Sequence, residues 1–178
     1  MTEYLCDPIL PVTEVMMEIL NRLQKFFSRH LKGNGDRELI DVVNILIEHR
    51  QNLIRLAKQI TVHAERAPYP HVAQHLRQIS LEQQNSANAL KEKILYLGGN
   101  PQEANLELRT GKNHWARILQ DIKDQKELEN QLSADASRLA LKSPEITDLL
   151  RRIIAEGMVH RETLQNLVAR ADPQANQT

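Results

Sequence analysis

The stretch Ser80–Pro101, which reads SLEQQNSANALKEKILYLGGNP, decides the fold. Its apolar residues recur at the spacing of one helix face, and the pattern stops at two glycines and a proline, which end helices. One side of this helix must therefore be buried. Two polar residues, Gln83 and Ser86, interrupt the buried side near its middle. Because an unpaired buried polar group costs about 1–3 kcal/mol, we expect both side chains to have partners in the core.

Length and composition exclude several classes of protein. The 178 residues suffice for one domain with a substantial core, and 23 basic side chains balance 23 acidic ones. A balanced charge and 3% aromatic residues argue against nucleic acid as a partner. The single cysteine, Cys6, excludes an internal disulfide. The start of the chain does not read as a signal peptide, and no stretch is apolar enough to span a membrane. We therefore expect a cytoplasmic protein without a membrane partner.

Prolines and glycines divide the chain into five segments with helical periodicity, and none alternates like a strand. We therefore predict an all-α fold. Short connections predict antiparallel pairs, whereas the link from Pro101 to Lys112 reaches up to about 40 Å and predicts a long crossover between parallel helices. The segments are Val12–Leu31, Arg37–Arg66, Tyr69–Leu97, Asn113–Leu141 and a last one that starts at Ser143.

These segments predict three parts of the chain. Residues 1–36 form an N-terminal extension with one amphipathic helix, residues 37–171 form a four-helix bundle, and residues 172–178 form a flexible tail. The two halves of the bundle repeat weakly, since aligning Glu82 with Glu156 places Gln83 on Gly157 and Ser86 on His160. Polar residues occur near mid-helix on four buried seams, and we expect them to lie at one level of the bundle: His49, Gln83, Ser86, Gln125 and His160.

The chain resembles the ferritin-like superfamily, which includes bacterioferritin and rubrerythrin. The resemblance covers roughly Arg37–Arg170 and rests on the repeated helix pair, the crossover and the ending LYLGGNP. It implies an antiparallel four-helix bundle with the crossover between the second and third bundle helices. Members of the superfamily build a di-iron site from one Glu on each of two helices and Glu-x-x-His on each of the other two.

The resemblance places neutral residues where the family has iron ligands. The first Glu-x-x-His falls on Gln83 and Ser86, and the second falls on Gly157 and His160. Carboxylates supply most of the charge that holds two irons, so the resemblance implies a degenerate di-iron site without the family's iron chemistry. The glycine either admits a bulky neighbour or leaves a small pocket. The other two ligand positions fall near Gln125 and near Arg50 or Gln51.

The two histidines predicted at this level support two hypotheses. In the first, His49 and His160 are neutral core residues that are hydrogen-bonded to Gln83, Gln125 or Ser86. In the second, a rearranged set binds a single metal ion such as iron, zinc or copper. The candidate ligands for that ion are His49, His160, Asp124 and Glu129. Three further histidines near the turn after Arg66 are predicted to be solvated: His63, His71 and His75.

Two functions follow from these observations. The first is a ferritin-like bundle that has lost the di-iron ligands, needs no cofactor and serves as a non-catalytic scaffold or interaction protein. The alternative is a ferritin-like metal-binding or redox protein with a ligand set around His49 and His160. Whether the chain is an enzyme stays open, and the missing carboxylates favour that it is not. The apolar face of the N-terminal helix predicts a protein partner or a homo-oligomer, such as a dimer, that forms through this helix.

Overall fold

Four long helices make up the part of the chain that the computed structural model describes, residues 34–102 and 107–170. They are α1, Asn34–Glu65; α2, Pro70–Tyr96; α3, His114–Leu139; and α4, Pro144–Arg170. Within these ranges there is no strand, which confirms the all-α prediction. Each helix agrees with the corresponding sequence segment to within one helical turn. The predicted helix Val12–Leu31 and the C-terminal tail lie outside the described residues.

Side-chain hydrogen bonds between the helices fix the direction of each one. His49 bonds to Asp135 and His63 bonds to Asp121, so residue numbers rise along α1 while they fall along α3. These two helices are therefore antiparallel. A short turn joins α1 to α2, which makes that pair antiparallel as well. The second and third bundle helices, α2 and α3, consequently run parallel, which confirms the predicted crossover between them.

Apolar residues at helical spacing from all four helices form one continuous core. Burying a leucine or isoleucine side chain contributes about 1.5–3 kcal/mol relative to leaving it exposed, so these residues supply most of the favourable free energy of folding. The largest fully buried apolar side chains are Leu46, Leu53, Leu56, Ile60, Leu76, Leu90, Ile94, Ile118, Leu132, Leu150 and Leu164.

The two glycines after α2 both have a structural reason. Gly98 has φ +78°, a left-handed conformation that favours glycine, and its N–H donates to the carbonyl of Leu95 at 3.0 Å. Gly99 donates its N–H to the carbonyl of Ile94 at 2.9 Å. A Cβ at Gly99 would lie 2.9 Å from Cγ2 of Ile94 and against Val43, so no larger residue fits there. The ending LYLGGNP therefore stops α2 as predicted.

The described helices also bear on the membrane prediction. Across residues 34–102 and 107–170, each helix lacks the combination of length and apolar composition that crossing a bilayer requires.

Candidate functional site

Three buried polar side chains join three helices in the middle of the bundle. The Nε2 group of Gln83 on α2 donates to Oε1 of Gln125 on α3 at 2.6 Å and approaches Nδ1 of His160 on α4 at 3.2 Å. The three residues are only 1–4% exposed. On the same helix, Oγ of Ser86 donates to Oε2 of Glu156 at 2.8 Å. The expectation that Gln83 and Ser86 have partners is confirmed.

The hydrogen bonds also assign the tautomer of His160. The amide nitrogen of Gln83 can only donate, so Nδ1 of His160 accepts, and the ring hydrogen resides on Nε2. That Nε2 group donates to Oε2 of Glu82 at 2.7 Å. Hydrogen bonds from Gln78 and His160 lower the pKa of Glu82 below its ordinary value, against the effect of partial burial. These two hydrogen bonds hold the imidazole in one orientation, and the carboxylate beside it is ionised.

A second carboxylate closes the other side of this network. Nε2 of Gln125 donates to Oε1 of Glu129 at 3.3 Å, and Nε of Arg161 donates to both oxygens of the same carboxylate at 3.2 and 3.0 Å. A continuous set of hydrogen bonds thus runs from Glu82 through the core to Arg161. Its charged groups lie at the two ends, and neutral amides and an imidazole occupy the middle. We call these residues the polar layer: Glu82, Gln83, Gln125, Glu129, His160 and Arg161.

Gly157 makes room for this layer. The space that a Cβ at Gly157 would need is filled by Nε2 of Gln125, and Cγ of Glu129 would lie 3.4 Å from that Cβ. Of the two interpretations of this glycine, the first is confirmed: it admits a bulky neighbour. The helix α4 therefore accepts a residue of poor helix propensity because the adjacent amide needs the volume.

The helix α1 contributes apolar side chains at this level. Oγ of Ser80 donates to the carbonyl of Ala57 at 2.8 Å, which fixes how α1 and α2 lie against each other. Gln83 is almost one turn further along α2, so it faces the earlier α1 residues Leu53 and Leu56. Both leucines are fully buried. Hydrophobic side chains therefore occupy the part of α1 in which the family has a metal-binding glutamate.

The prediction that His49 lies at the level of Gln83 and Gln125 is wrong. Its bonding partner, Asp135, lies almost three helical turns beyond Gln125 on α3. Nε2 of His49 bonds to Oδ2 of Asp135 at 2.8 Å, and Nη1 of Arg50 donates to the carbonyl of Gln102 at 3.2 Å. Burial lowers the pKa of His49, and the hydrogen bond with Asp135 only partly opposes this effect. A periodic apolar pattern fixes the face of a helix but leaves its axial position free by a turn.

Of the four candidate metal ligands, His160 and Glu129 belong to the polar layer, whereas His49 and Asp124 lie elsewhere. His49 is paired with Asp135, and His160 is bonded within the polar layer to Glu82 and Gln83. Glu129 is held by Arg161, and Asp124 belongs to a different network on the opposite side of α3. Among the described residues, no group of three or more His, Cys, Asp or Glu side chains is placed to hold a metal ion. Binding of a single ion stays a prediction.

A buried network between α1 and α3 was missed by the sequence analysis. His63 is fully buried, and its Nδ1 bonds to Oδ2 of Asp121 at 2.8 Å, while Nε2 of Gln59 donates to Oδ1 of the same carboxylate at 2.8 Å. The prediction that His63 is solvated is wrong, whereas His71 and His75 are exposed as predicted. Burial raises the pKa of Asp121, and its two donors oppose that shift. The signal was present, because His63 lies on the buried seam of α1.

Asp124 completes this second network. Its two oxygens accept from Arg55 at 3.2 Å, from Gln59 at 2.9 Å, from Arg109 at 2.6 Å and from Gln120 at 2.8 Å. Burial alone would raise the pKa of Asp124, but the donors Gln59, Arg109 and Arg55 lower it below its ordinary value. All lone pairs of this carboxylate are occupied, so it serves to fix the crossover and α1 against α3.

Comparisons with known proteins agree with this four-helix architecture. Residues 40–172 match the sequence profile of the ferritin-like domain family. The chain belongs to that ferritin-like family. A solved structure of mycobacterial bacterioferritin matches with a TM-score of 0.67 and 22% sequence identity, over 72% of this chain and 83% of that chain. At 22% sequence identity, this structural similarity establishes the fold alone. Curated proteins yield no match to the chain.

The residues at the family's di-iron positions do not fit a di-iron centre. Gln83, Gln125 and Gly157 stand where the family has carboxylates, and the amides already bond to each other. Neutral amides do not offset the charge of two ferrous ions, and the Gln125 amide fills the space beside Gly157. On α1, the residues opposite Gln83 include the fully buried Leu53 and Leu56. The donor set of this ferritin-like chain therefore suits a hydrogen-bonded core and not the family's metal pair.

Proposed function

We propose that this chain is a ferritin-like bundle without a di-iron centre and that it serves as a non-catalytic scaffold or interaction protein. The observation that carries the proposal is the pairing of Gln83 with Gln125 and His160 at the centre of the bundle. Buried polar networks whose members are all bonded rigidify a core and favour one arrangement of its helices. No cofactor is needed for that role.

We further propose that the chain forms a homo-oligomer or binds a protein partner through its N-terminal segment. Seven large apolar residues of that segment would share one helical face. An apolar face of this width is unfavourable in water and favours association with a protein surface. The residues are Val12, Val15, Met16, Ile19, Leu23, Phe26 and Phe27.

One observation favours the alternative, a metal-binding or redox protein. His160 and Glu82 line an open pocket of about 400 Å³ together with Asn85, Glu156 and Val159. Histidine and carboxylate side chains are common ligands of zinc, iron and copper. Because Glu82 is already bonded to His160 and Glu156 to Ser86, an ion would have to displace these hydrogen bonds.

Elemental analysis of protein purified without chelators separates the two proposals. The scaffold role predicts metal far below one ion per chain, and the alternative predicts about one ion per chain that is lost in His160→Ala. His75→Ala, which removes an exposed histidine, is the matched control. Native mass spectrometry of the same sample measures the oligomeric state. A metal-free monomer that captures no partner would contradict the scaffold proposal.

A further inference from the structure

An open groove runs between α2 and α4. Two adjoining cavities of about 400 and 180 Å³ form it, and Asn85 of α2 and Glu156 of α4 line both of them. Along α4, the lining residues extend from Leu149 to His160, a distance of about 16 Å at 1.5 Å per residue. The groove is therefore long enough to hold three turns of a helix.

The groove is concave because its two walls differ in side-chain size. On α4, Leu149, Ile153 and Val159 contribute apolar side chains, and Val159 is 62% exposed. On α2, Ser86 and Ala89 contribute small ones. Ser86 stands at a position where the family has a histidine, so the shorter side chain leaves space there. A concave surface with apolar side chains along one wall is typical of sites that bind an amphipathic helix.

Two carboxylates make the larger cavity acidic. Glu82 and Glu156 both line it. In the described part of the chain, neither carboxylate forms an ion pair with a lysine or an arginine. Glu82 accepts hydrogen bonds from Gln78 and His160, and Glu156 accepts one from Ser86. A partner that brings basic side chains to this cavity would therefore gain favourable charge contacts.

Residues 12–32 of the chain have the matching chemistry. Their apolar residues would share one helical face, and the second half of the segment is basic, with no acidic residue between Glu18 and Asp36. Both phenylalanines of the chain lie in this half, and aromatic side chains are enriched at the centre of protein interfaces. As a helix, residues 22–32 would extend for about 15 Å, which matches the groove. The basic residues are Arg22, Lys25, Arg29 and Lys32.

The order of charges predicts the direction in which the segment lies. Arg152, which lines the smaller cavity, comes about one helical turn before Glu156 on α4. In the segment, Glu18 comes about one turn before Arg22. If the segment runs parallel to α4, Glu18 faces Arg152 while Arg22 faces Glu156. The reverse direction would place like charges opposite each other, which is unfavourable.

We propose that residues 12–32 of a second copy of this chain bind in the groove between α2 and α4, parallel to α4. The segment leads into α1, and no described residue of α1 lines either cavity. Two copies that exchange segments cover both grooves and both apolar faces, and the exchange closes a symmetric dimer. The inference rests on the proposed association through the N-terminal segment and adds the surface that receives it.

A tryptophan in the groove tests the docking in the full chain. Asn85 is exposed and lines both cavities, so Asn85→Trp should fill the groove and raise the dissociation constant of the dimer at least about tenfold. Asn88→Trp is the matched control, because Asn88 is exposed on the same helix and lines neither cavity. Analytical ultracentrifugation measures the dissociation constants, and circular dichroism verifies that both variants fold. An Asn85→Trp chain that associates as tightly as the wild type overturns the docking.

Charge reversal tests the direction and register. Arg22→Glu and Glu156→Arg should each raise the dissociation constant about fivefold. A chain that carries both substitutions should associate almost as tightly as the wild type, because opposite charges face each other again. Glu162→Arg combined with Arg22→Glu is the control, since Glu162 is exposed on α4 and lines neither cavity. Failure of Glu156→Arg to restore association, or equal restoration by Glu162→Arg, overturns the proposed docking.

Disulfide formation between mixed chains distinguishes a second copy from the same chain. Lys25 should lie opposite Val159, because each follows its facing partner by three residues. Chains with Lys25→Cys and chains with Val159→Cys, both with Cys6→Ser, should therefore form a mixed disulfide. Lys126→Cys, at an exposed position of α3, should form none with Lys25→Cys. A mixed disulfide no more abundant than in this control, or one that forms only within a chain carrying both cysteines, overturns the exchange.

Deletion of residues 1–32 separates this inference from the proposed function. If the mass in solution falls on deletion but is unchanged in Asn85→Trp, the segment joins subunits at another surface, and only the docking is wrong. If the wild type is a monomer, or if deletion leaves its assembly unchanged, the proposed association through the segment is wrong as well.

Discussion

The amide nitrogen of Gln125 fills the space that a Cβ at Gly157 would need. This relationship links α3 to α4 at the level of the polar layer. The same amide nitrogen donates to Glu129, and the amide oxygen of Gln125 accepts from Gln83. The glycine is thus required by the packing of its neighbour, although glycine within a helix costs about 1 kcal/mol relative to alanine.

We predict that Gly157→Ala destabilises the protein by at least about 1 kcal/mol. Alanine improves the helix propensity by about 1 kcal/mol. It also displaces the Gln125 amide and breaks two buried hydrogen bonds, and each buried group left unpaired costs about 1–3 kcal/mol. The loss exceeds the gain. Urea denaturation monitored by circular dichroism measures the change in the free energy of unfolding.

The matched control for this prediction is the same substitution in a Gln125→Ala background. With the amide gone, the methyl group that Gly157→Ala introduces meets free space, and the gain in helix propensity remains. Gly157→Ala should then stabilise the protein by up to about 1 kcal/mol. If the sign of the effect is the same in both backgrounds, Gln125 is not the reason for the glycine.

We predict that His160→Leu is better tolerated than His160→Ala, by about 1 kcal/mol in the free energy of unfolding. Leucine fills the volume of the imidazole, whereas alanine leaves a cavity among Gln83, Leu164 and their neighbours. Both variants lose the hydrogen bonds to Gln83 and Glu82, so that loss cancels in the comparison. Equal or reversed stabilities would mean that the imidazole matters for a reason other than packing.

We predict that Arg109→Ala destabilises the protein by about 0.5–1 kcal/mol at neutral pH, a modest effect because Arg109 is half-exposed to solvent. The folded pKa of Asp124 is lowered, so its contribution is complete above the unfolded value and is lost as the pH falls through the folded value. The difference between variant and wild type should therefore shrink below about pH 4. Denaturation curves at neutral and acidic pH test this.

Lys126→Ala is the control for Arg109→Ala, because Lys126 and Arg109 line one open surface pocket and Lys126 has no observed bond to Asp124. Its stability should match the wild type at both pH values. A pH-independent loss in Arg109→Ala would show that the guanidinium acts by packing alone and would contradict the proposed anchoring of the crossover.

We predict that deleting Met1–Lys32 lowers the melting temperature or the solubility. The apolar face of this segment is expected to cover a protein surface, and removal would expose that surface to water. Size-exclusion chromatography with light scattering should also report a change in molecular mass if the segment joins subunits. A truncated chain with unchanged melting temperature and unchanged mass would show that the segment is dispensable.

The sequence predicted the fold well because long periodic segments and glycine–proline stops are local signals. The helix α2 and its ending at Gly98 and Gly99 illustrate this, and the parallel arrangement of α2 and α3 followed from the length of the crossover. The central partners Gln83, Gln125 and His160 were also predicted, because buried polar residues at mid-helix must meet one another.

Axial register was the part that periodicity could not supply. The apolar seam of α1 continues past His49 in both directions, so its pattern does not say which turn faces Gln83. Only a contact between helices, such as Ser80 with Ala57, sets that position. The same reason explains the error at His63, since its partner Asp121 lies on a helix more than fifty residues further along the chain.

The central claim is that the polar layer has replaced the di-iron centre. Its most direct test is anaerobic titration of the purified chain with ferrous iron, followed by addition of oxygen in an oxygen electrode, with an iron-oxidising di-iron protein measured in parallel. We predict no stoichiometric binding of iron and no oxygen consumption above the rate of iron in buffer. Binding of about two irons per chain through this layer, with rapid oxidation when oxygen is added, would contradict the account.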